Sequence, residues 1–250
     1  MQTALVTGGA RRIGRVIVEA LAREGYAVAI HFDRSRDEAN DLRTLVRCNG
    51  GEAEVVQADL GDPDELLSLV ECARAKLGPL TLLVNNASVF EADELHTTDR
   101  ALWERHFAVN LQAPVFLARD FARQLPDGSE GSVVNIIDQR VWKPNPLFFS
   151  YTLSKAALFA ATRTMAQALA PRVRVNAVGP GPTLPSRRQT ETDFSRQSAN
   201  VPLGHGPGAD EIATTVLFLA KAKSVTGQML AVDGGQHLAW ETPDVLAAGE

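Results

Sequence analysis

The stretch TALVTGGARRIG, residues 3–14, decides how this chain reads. A short apolar run, TALVT, feeds a glycine-rich turn, TGGARRIG, that opens a helix. This succession presents backbone N–H groups and the partial positive charge of a helix N-terminus to a phosphate, which suits a dinucleotide pyrophosphate. Gly8 and Gly14 offer backbone conformations closed to other residues, or room for a ligand to approach the main chain. The spacing is TGxxxxxG rather than GxGxxG, and Arg12 stands where the commoner TGxxxGxG form has its middle glycine. A turn like this also occurs as a plain tight turn, so its meaning depends on the rest of the chain.

Working outward, hydrophobic periodicity predicts strands alternating with helices. Residues 2–7 form a first strand, buried on both faces by its composition. A helix over about 11–24 carries Ile13, Ile17, Ala20 and Leu21 on one stripe and stops at Gly25. The second strand, YAVAIHF, ends at Asp33-Arg34-Ser35. A helix over about 36–49, the strand EAEVVQA, a helix over 64–77 and the strand LTLLVNNA follow. Residues 99–124 hold one or two helices containing Asn110, and SVVNII (132–137) is the next strand. A loop rich in proline and aromatics (141–149) precedes a helix over about 150–169 and the strand VRVNAVGPG. A helix over 209–221 and the strand QMLAVDGG close the series. This rhythm gives right-handed βαβ units and a parallel sheet. Residues 182–207, with four prolines, are long for a loop and are expected to be a mobile lid or disordered.

Composition narrows the class. A chain of 250 residues with 45% hydrophobic and 22% charged residues can bury a large core, and no linker divides it, so residues 1–250 are expected to form one α/β domain. A net charge of −5 argues against nucleic acid or an anionic membrane as the main partner. Cys48 and Cys72 suggest neither a metal site nor a disulfide framework, and there is no signal peptide or membrane-length apolar run, so a cytoplasmic protein is expected. His31, His96, His106, His205 and His237 show no ligand-like clustering, and no metal site is expected.

Tyr151 and Lys155 stand four apart at the start of a predicted helix, so both project from one face. A nearby ammonium favours phenolate, which would make the tyrosine a usable acid or base near neutral pH. Exposed helices often carry such a pair, so alone it decides nothing. In this chain it stands in an ordered set: TGGARRIG, NNAS at 85–88, Asn110, YTLSK at 151–155, RVNAVGPG at 174–181 and VTGQMLAVDGG at 225–235. That set, over essentially the whole length, resembles the short-chain dehydrogenases/reductases. The resemblance implies a doubly wound parallel sheet of Rossmann type, a nicotinamide cofactor, and a catalytic set of Asn, Ser, Tyr and Lys. A homotetramer, with interfaces on the helices around 100–124 and 150–170, is also implied.

One member of the set is missing. The family serine lies 13 residues before the tyrosine, and that position holds Asp138. A carboxylate cannot donate a hydrogen bond unless protonated, but it accepts from an amine or ring N–H. The exchange speaks against a simple ketone and for a nitrogen-rich substrate. Arg12, Asp138, and Ser88 with Phe90 in NNASVF make the chain most similar to the pteridine and dihydromonapterin reductases. That resemblance implies a pterin stacked between Phe90 and the nicotinamide, with Arg12 and Ser88 contacting pterin and cofactor phosphate. It also implies that Asp138 and Tyr151 deliver protons, that Lys155 binds the nicotinamide ribose and lowers the Tyr151 pKa, and that Asn110 supports the helix and a proton-relay water.

The end of the second strand selects between NAD and NADP. An acidic residue there holds the ribose 2′-OH, and an arginine accommodates a 2′-phosphate. The chain has both, as Asp33 and Arg34, and the Arg34-Ser35 pair resembles the pteridine reductases, so NADPH/NADP is expected. The resemblance places Asp59 and Leu60 at the adenine. It places Gly8, Ile13, Gly14, Asn86, Ala87, Pro180, Gly181 and, less firmly, Thr183 along the rest of the cofactor. The pair Arg187-Arg188 reads as solvated surface, or as a contact for a negatively charged substrate tail. Two other readings stay open: a generic carbonyl or 3-oxoacyl reductase, and a non-catalytic dinucleotide sensor.

Overall fold

A computed structural model describes residues 2–186 and 188–241. The strands are β1 (Thr3–Val6), β2 (Ala27–Phe32), β3 (Ala53–Gln57), β4 (Leu82–Asn85), β5 (Gly131–Ile136), β6 (Val173–Pro180) and β7 (Met229–Val232). They pair in parallel in the order β3-β2-β1-β4-β5-β6-β7, a doubly wound sheet whose order reverses between β1 and β4. Both faces are covered, and the pleat decides which residue goes where. In β1, Ala4 and Val6 join one apolar layer while Leu5 joins the other; Val28 and Ile30 flank Ala29 in the same way in β2.

The first layer is closed by α1 (Arg12–Arg23), α2 (Arg36–Cys48) and α8 (Ala209–Lys221), which bring Ile17, Leu21, Leu42 and Val216 onto it. The second is closed by α3 (Pro63–Leu77), α5 (Ala113–Gln124) and the long α6 (Phe149–Leu169), with Leu69, Leu117 and Phe121. Helix α1 is strongly amphipathic in its pattern, and Gly25 ends it with φ +83.

Two segments differ from the expectation. The 99–124 region is three pieces, not one or two helices: α4 (Arg100–Phe107), a π-helical turn (Ala108–Gln112) that contains Asn110, and α5. Such turns are rare and have no periodicity signature in a sequence. Residues 182–207 are not an element-free loop, because they contain α7 (Glu191–Ala199), capped by the Thr190 hydroxyl accepting the Asp193 N–H at 3.1 Å. None of the α7 residues is buried, so the apolar stripe that reveals a helix is missing. Among the described residues no helix is long and apolar enough to cross a membrane.

Candidate active site

The switch between β1 and β4 opens a cleft of about 1020 Å³ at the C-terminal ends of the strands. Among the described residues, every site residue named from the sequence lines it except Asn110, which is fully buried.

The floor begins at the glycine-rich turn. Gly8 has φ +60, and a Cβ on Gly14 would lie 2.2 Å from the Gly8 carbonyl oxygen, so the turn and the helix pack main chain to main chain. Helix α1 starts without a side-chain cap, unlike α3 and α4, which Asp62 and Asp99 cap. The start of the helix, Arg11 to Gly14, borders the cleft, where a site for an anion would lie. The turn is held from beneath by two residues. The Asn86 amide donates to the carbonyls of Thr7 and Gly8 at 2.9 and 3.1 Å. His31, almost wholly buried in β2, accepts the Gly8 N–H at Nδ1 (3.0 Å) and has Nε2 3.0 Å from the Ala58 carbonyl. A carbonyl only accepts, so Nε2 carries the proton and the ring is neutral. Burial lowers its pKa to about 4.

At the end of β2 the charges interlock. Arg34 is exposed and lies 3.6 Å from the Asp33 carboxylate; Arg105 approaches the same carboxylate and pairs with Asp59 at 3.0 Å. Burial raises the Asp59 pKa, but the Arg105 contacts and the Gly61 N–H outweigh it and hold the group below its usual range. Arg11 reaches Ser35 at 3.5 Å and Glu38 at 3.4 Å. Arg11 and Arg105 are cleft residues the sequence reading did not single out.

At the opposite end, Tyr151, Asp138 and Lys155 meet. The Tyr151 hydroxyl donates to Asp138 Oδ2 at 2.9 Å. Arg140 gives the same oxygen a guanidinium N–H at 2.9 Å and its backbone N–H to Oδ1, also at 2.9 Å. A carboxylate has about four acceptor sites, and these contacts use three, which leaves one for an incoming N–H. The expected influence of Lys155 on Tyr151 is not what the geometry gives. Burial first, then the Asp138 charge, push the tyrosine pKa well above its ordinary value, so the group stands as a protonated donor. The Lys155 ammonium, itself buried and lowered to about 8 by desolvation, donates to the Ile136 carbonyl at 2.9 Å. Among the described residues that is its one hydrogen bond, so two of its three N–H groups are free to take a ribose diol. This fits the group the fold implies.

Asn110 supports the start of the helix, as the resemblance implies. Its Nδ2 donates to the Val89 carbonyl and Ser154, and its Oδ1 accepts from Ser88 and the Val89 N–H, so the amide is saturated. It ties the Ser88 loop to α6. The start of α6 is pinned from another side. Asp93 accepts the Ser150 N–H and hydroxyl, and the Ser150 oxygen meets His106 Nδ1 at 2.6 Å. Tyr151 is therefore set on a rigid turn.

Phe90 lies over this floor, but one of its faces is already taken. Phe148 stacks on it with ring centres 4.6 Å apart, and Tyr151 meets it edge-on at 4.7 Å. Arg140 lies 5.3 Å and Arg188 5.2 Å from the Phe90 ring centre. A pterin stacked on Phe90 must use the other face or displace Phe148. Arg12, with φ +53, donates to the Leu184 and Pro185 carbonyls at 3.4 and 2.9 Å, so it links the glycine-rich turn to the segment before α7. Thr183 sits on the cleft with its hydroxyl turned to the Gly181 carbonyl at 3.0 Å. Arg187 lies outside the described residues. Arg140, Phe148 and His31 were missed at the sequence level. Arg140 had a signal, a cation two residues from the anomalous Asp138, whereas Phe148 had none beyond its aromatic-rich loop.

Comparison with known proteins agrees with this geometry. The family model for short chain dehydrogenases matches residues 2–195. The chain belongs to the short chain dehydrogenase family. Within it, 3-oxoacyl-[acyl-carrier-protein] reductase FabG of Staphylococcus aureus (strain N315) is 31% identical over 242 residues, spanning 95% of this chain and 98% of the relative. Two solved structures are far more similar. FolM alternative dihydrofolate reductase 1 from Brucella canis, complexed with NADP, is 57% identical, covers 98% of this chain and 97% of its own, and superposes with a TM-score of 0.95. The Brucella suis form, also in complex with NADP, is 58% identical over 97% of this chain and 98% of its own, with the same TM-score of 0.95. A reductase fold is thus shared by this short chain dehydrogenase and these relatives.

Proposed function

We propose that this short chain dehydrogenase is an NADPH-dependent reductase of a pterin or dihydropterin ring. The observation that carries the reading is Asp138. It presents a carboxylate with an open acceptor site beside the hydroxyl of a protonated Tyr151. An aminopyrimidine-like edge supplies N–H donors to such a group, and a ketone does not. The two FolM relatives, both solved with NADP, support it.

NADPH, when bound, supplies hydride to a C=N carbon of the ring. The uncapped start of α1 is suited to its pyrophosphate, Lys155 to its ribose, Arg34 and Ser35 to its 2′-phosphate, and Asp59 and Leu60 to its adenine. Tyr151 is the proton donor to the ring nitrogen, and Asp138, held by Arg140 at 2.9 Å, orients the ring. Phe90 supplies an apolar wall. The homotetramer implied by the resemblance has a suitable surface in an apolar groove between α5 and α6, lined by Val115, Phe116, Met165 and Leu169.

The 3-oxoacyl reductase reading is favoured by the FabG relative. Turnover with NADPH on a dihydropterin and on a 3-oxoacyl ester separates the two, and turnover of neither supports the dinucleotide sensor. Asp138→Asn keeps the size but loses the charge facing Arg140. It should lower pterin turnover by roughly ten-fold to a hundred-fold, the size of a lost charge-assisted hydrogen bond to the ring. Full activity of this variant on every pterin removes the main support for the assignment.

A further inference from the structure

Around the Phe90–Phe148 pair stand two guanidinium groups with different commitments. Arg140 belongs to the interior: it and Asp138 expose only 16% and 13% of their side chains, and Asp138 is engaged with Tyr151. Arg188 stands at the rim of the same cleft, on the segment leading to α7. It donates to the Phe90 carbonyl at 2.9 Å, lies 5.7 Å from the Phe148 ring centre, and pairs with the Glu91 carboxylate. Tyr151 touches Phe90 edge-on and Arg188 lies over Phe90, so one aromatic ring links Arg188 to the Tyr151 side chain.

We propose that Arg188 is a specificity-determining residue that receives a carboxylate on the tail of the ring substrate, and that Glu91 fills that place until the tail arrives. The inference rests on the pterin-type reading above and adds to it the class of tail. Glu91 already shows that the guanidinium is oriented to hold a carboxylate at the cleft mouth. That partner is easily given up: Glu91 is 59% and Arg188 40% exposed, and water competes for both ions of such a pair. Exchange for a substrate carboxylate leaves Arg188 neutralised and returns Glu91 to water, so no ion is stranded. A guanidinium binds a carboxylate in forked fashion, with two parallel N–H donors. The inner cation cannot serve this role, because taking Arg140 would strip Asp138 of its counter-ion.

The two partners give the idea an asymmetric signature. If Arg188 and Glu91 merely latch the segment before α7 to the Phe90 loop, removing either has the same effect. If Glu91 competes with the substrate, the two removals act in opposite directions. The test measures kcat/KM with NADPH for 7,8-dihydrofolate, whose tail ends in carboxylates, and for 7,8-dihydrobiopterin, whose tail is uncharged, and takes the ratio. Arg188→Gln should lower that ratio about ten-fold or more, the size expected for a charge-assisted contact. Arg188→Lys should restore part of it, because the charge returns without the fork. Glu91→Gln should raise it roughly two- to five-fold, through a lower KM for dihydrofolate, in keeping with a weak rim pair. Thermal melts show that each variant is folded. A ratio within two-fold of the unmutated protein in Arg188→Gln, or a shift of the same sign in both variants, overturns the proposal and leaves the pterin reading standing. Failure of the unmutated protein to reduce dihydrofolate while it reduces dihydrobiopterin also overturns it. Failure on both substrates overturns the pterin reading and, with it, this one.

Discussion

Buried His31 makes stability depend on pH in a way that can be worked out from the structure. The ring is neutral, accepts the Gly8 N–H at Nδ1 and donates to the Ala58 carbonyl from Nε2, and burial lowers its pKa from 6.5 to about 4. Between those two values the unfolded chain takes up a proton on this residue and the folded chain does not. Stability from this group is therefore full above pH 6.5 and is lost as pH falls toward 4. At 1.36 kcal/mol per tenfold change, the loss is about 2 kcal/mol at pH 5 and about 3 kcal/mol at pH 4. His31→Gln removes the titration while keeping a donor and an acceptor of similar reach. Urea unfolding of both proteins at pH 7 and pH 5 is the assay, since ordinary carboxylates remain ionised at both. The unmutated protein should lose about 2 kcal/mol more than the variant over that interval. Parallel losses would refute the reasoning, and His31 would then be titrating in the folded state like an exposed histidine. Buried His106, whose pKa burial also lowers, contributes in the same direction to both proteins and cancels in the difference.

Two further outcomes are expected. Arg34 is exposed, at the end of β2 and 3.6 Å from Asp33, so Arg34→Ala should weaken NADPH binding by about 1.5–3 kcal/mol while leaving NADH nearly unchanged; equal affinity of the unmutated protein for both cofactors, measured by calorimetry, would shift the weight to Asp33. Residues 182–207 should gain hydrogen-exchange protection when NADPH and a dihydropterin are present together, because Arg12 and Arg188 already join this segment to the two sides of the cleft; unchanged protection would mean that the segment does not close over the substrate.

Much of the architecture was legible in the chain because the information is local. A strand buried on both faces reads as a nearly continuous apolar run, and TALV, AVAIHF and GSVVNI announce themselves by it; α8 over 209–221 was read to the residue. The site residues were legible because glycines, Tyr151, Lys155 and the anomalous Asp138 stand at spacings that only make sense together, and all but Asn110 line one cleft. The π-helical turn at Asn110 and helix α7 were not legible, since neither carries the 3.6-residue apolar stripe that betrays a helix.

What tertiary structure alone decided is the state of each group. The sequence placed Lys155 four residues from Tyr151 and suggested that the ammonium lowers the phenol pKa. The fold sends that ammonium to the Ile136 carbonyl and gives the phenol to Asp138 in a buried place, which raises its pKa instead. Likewise Phe148 and Arg188 are 58 and 98 residues from Phe90 in sequence, and only the folding of two loops over the sheet end brings them against its ring. Spacing along a helix fixes which side chains share a face; burial, and the partners that arrive from distant segments, fix their protonation and what they can bind.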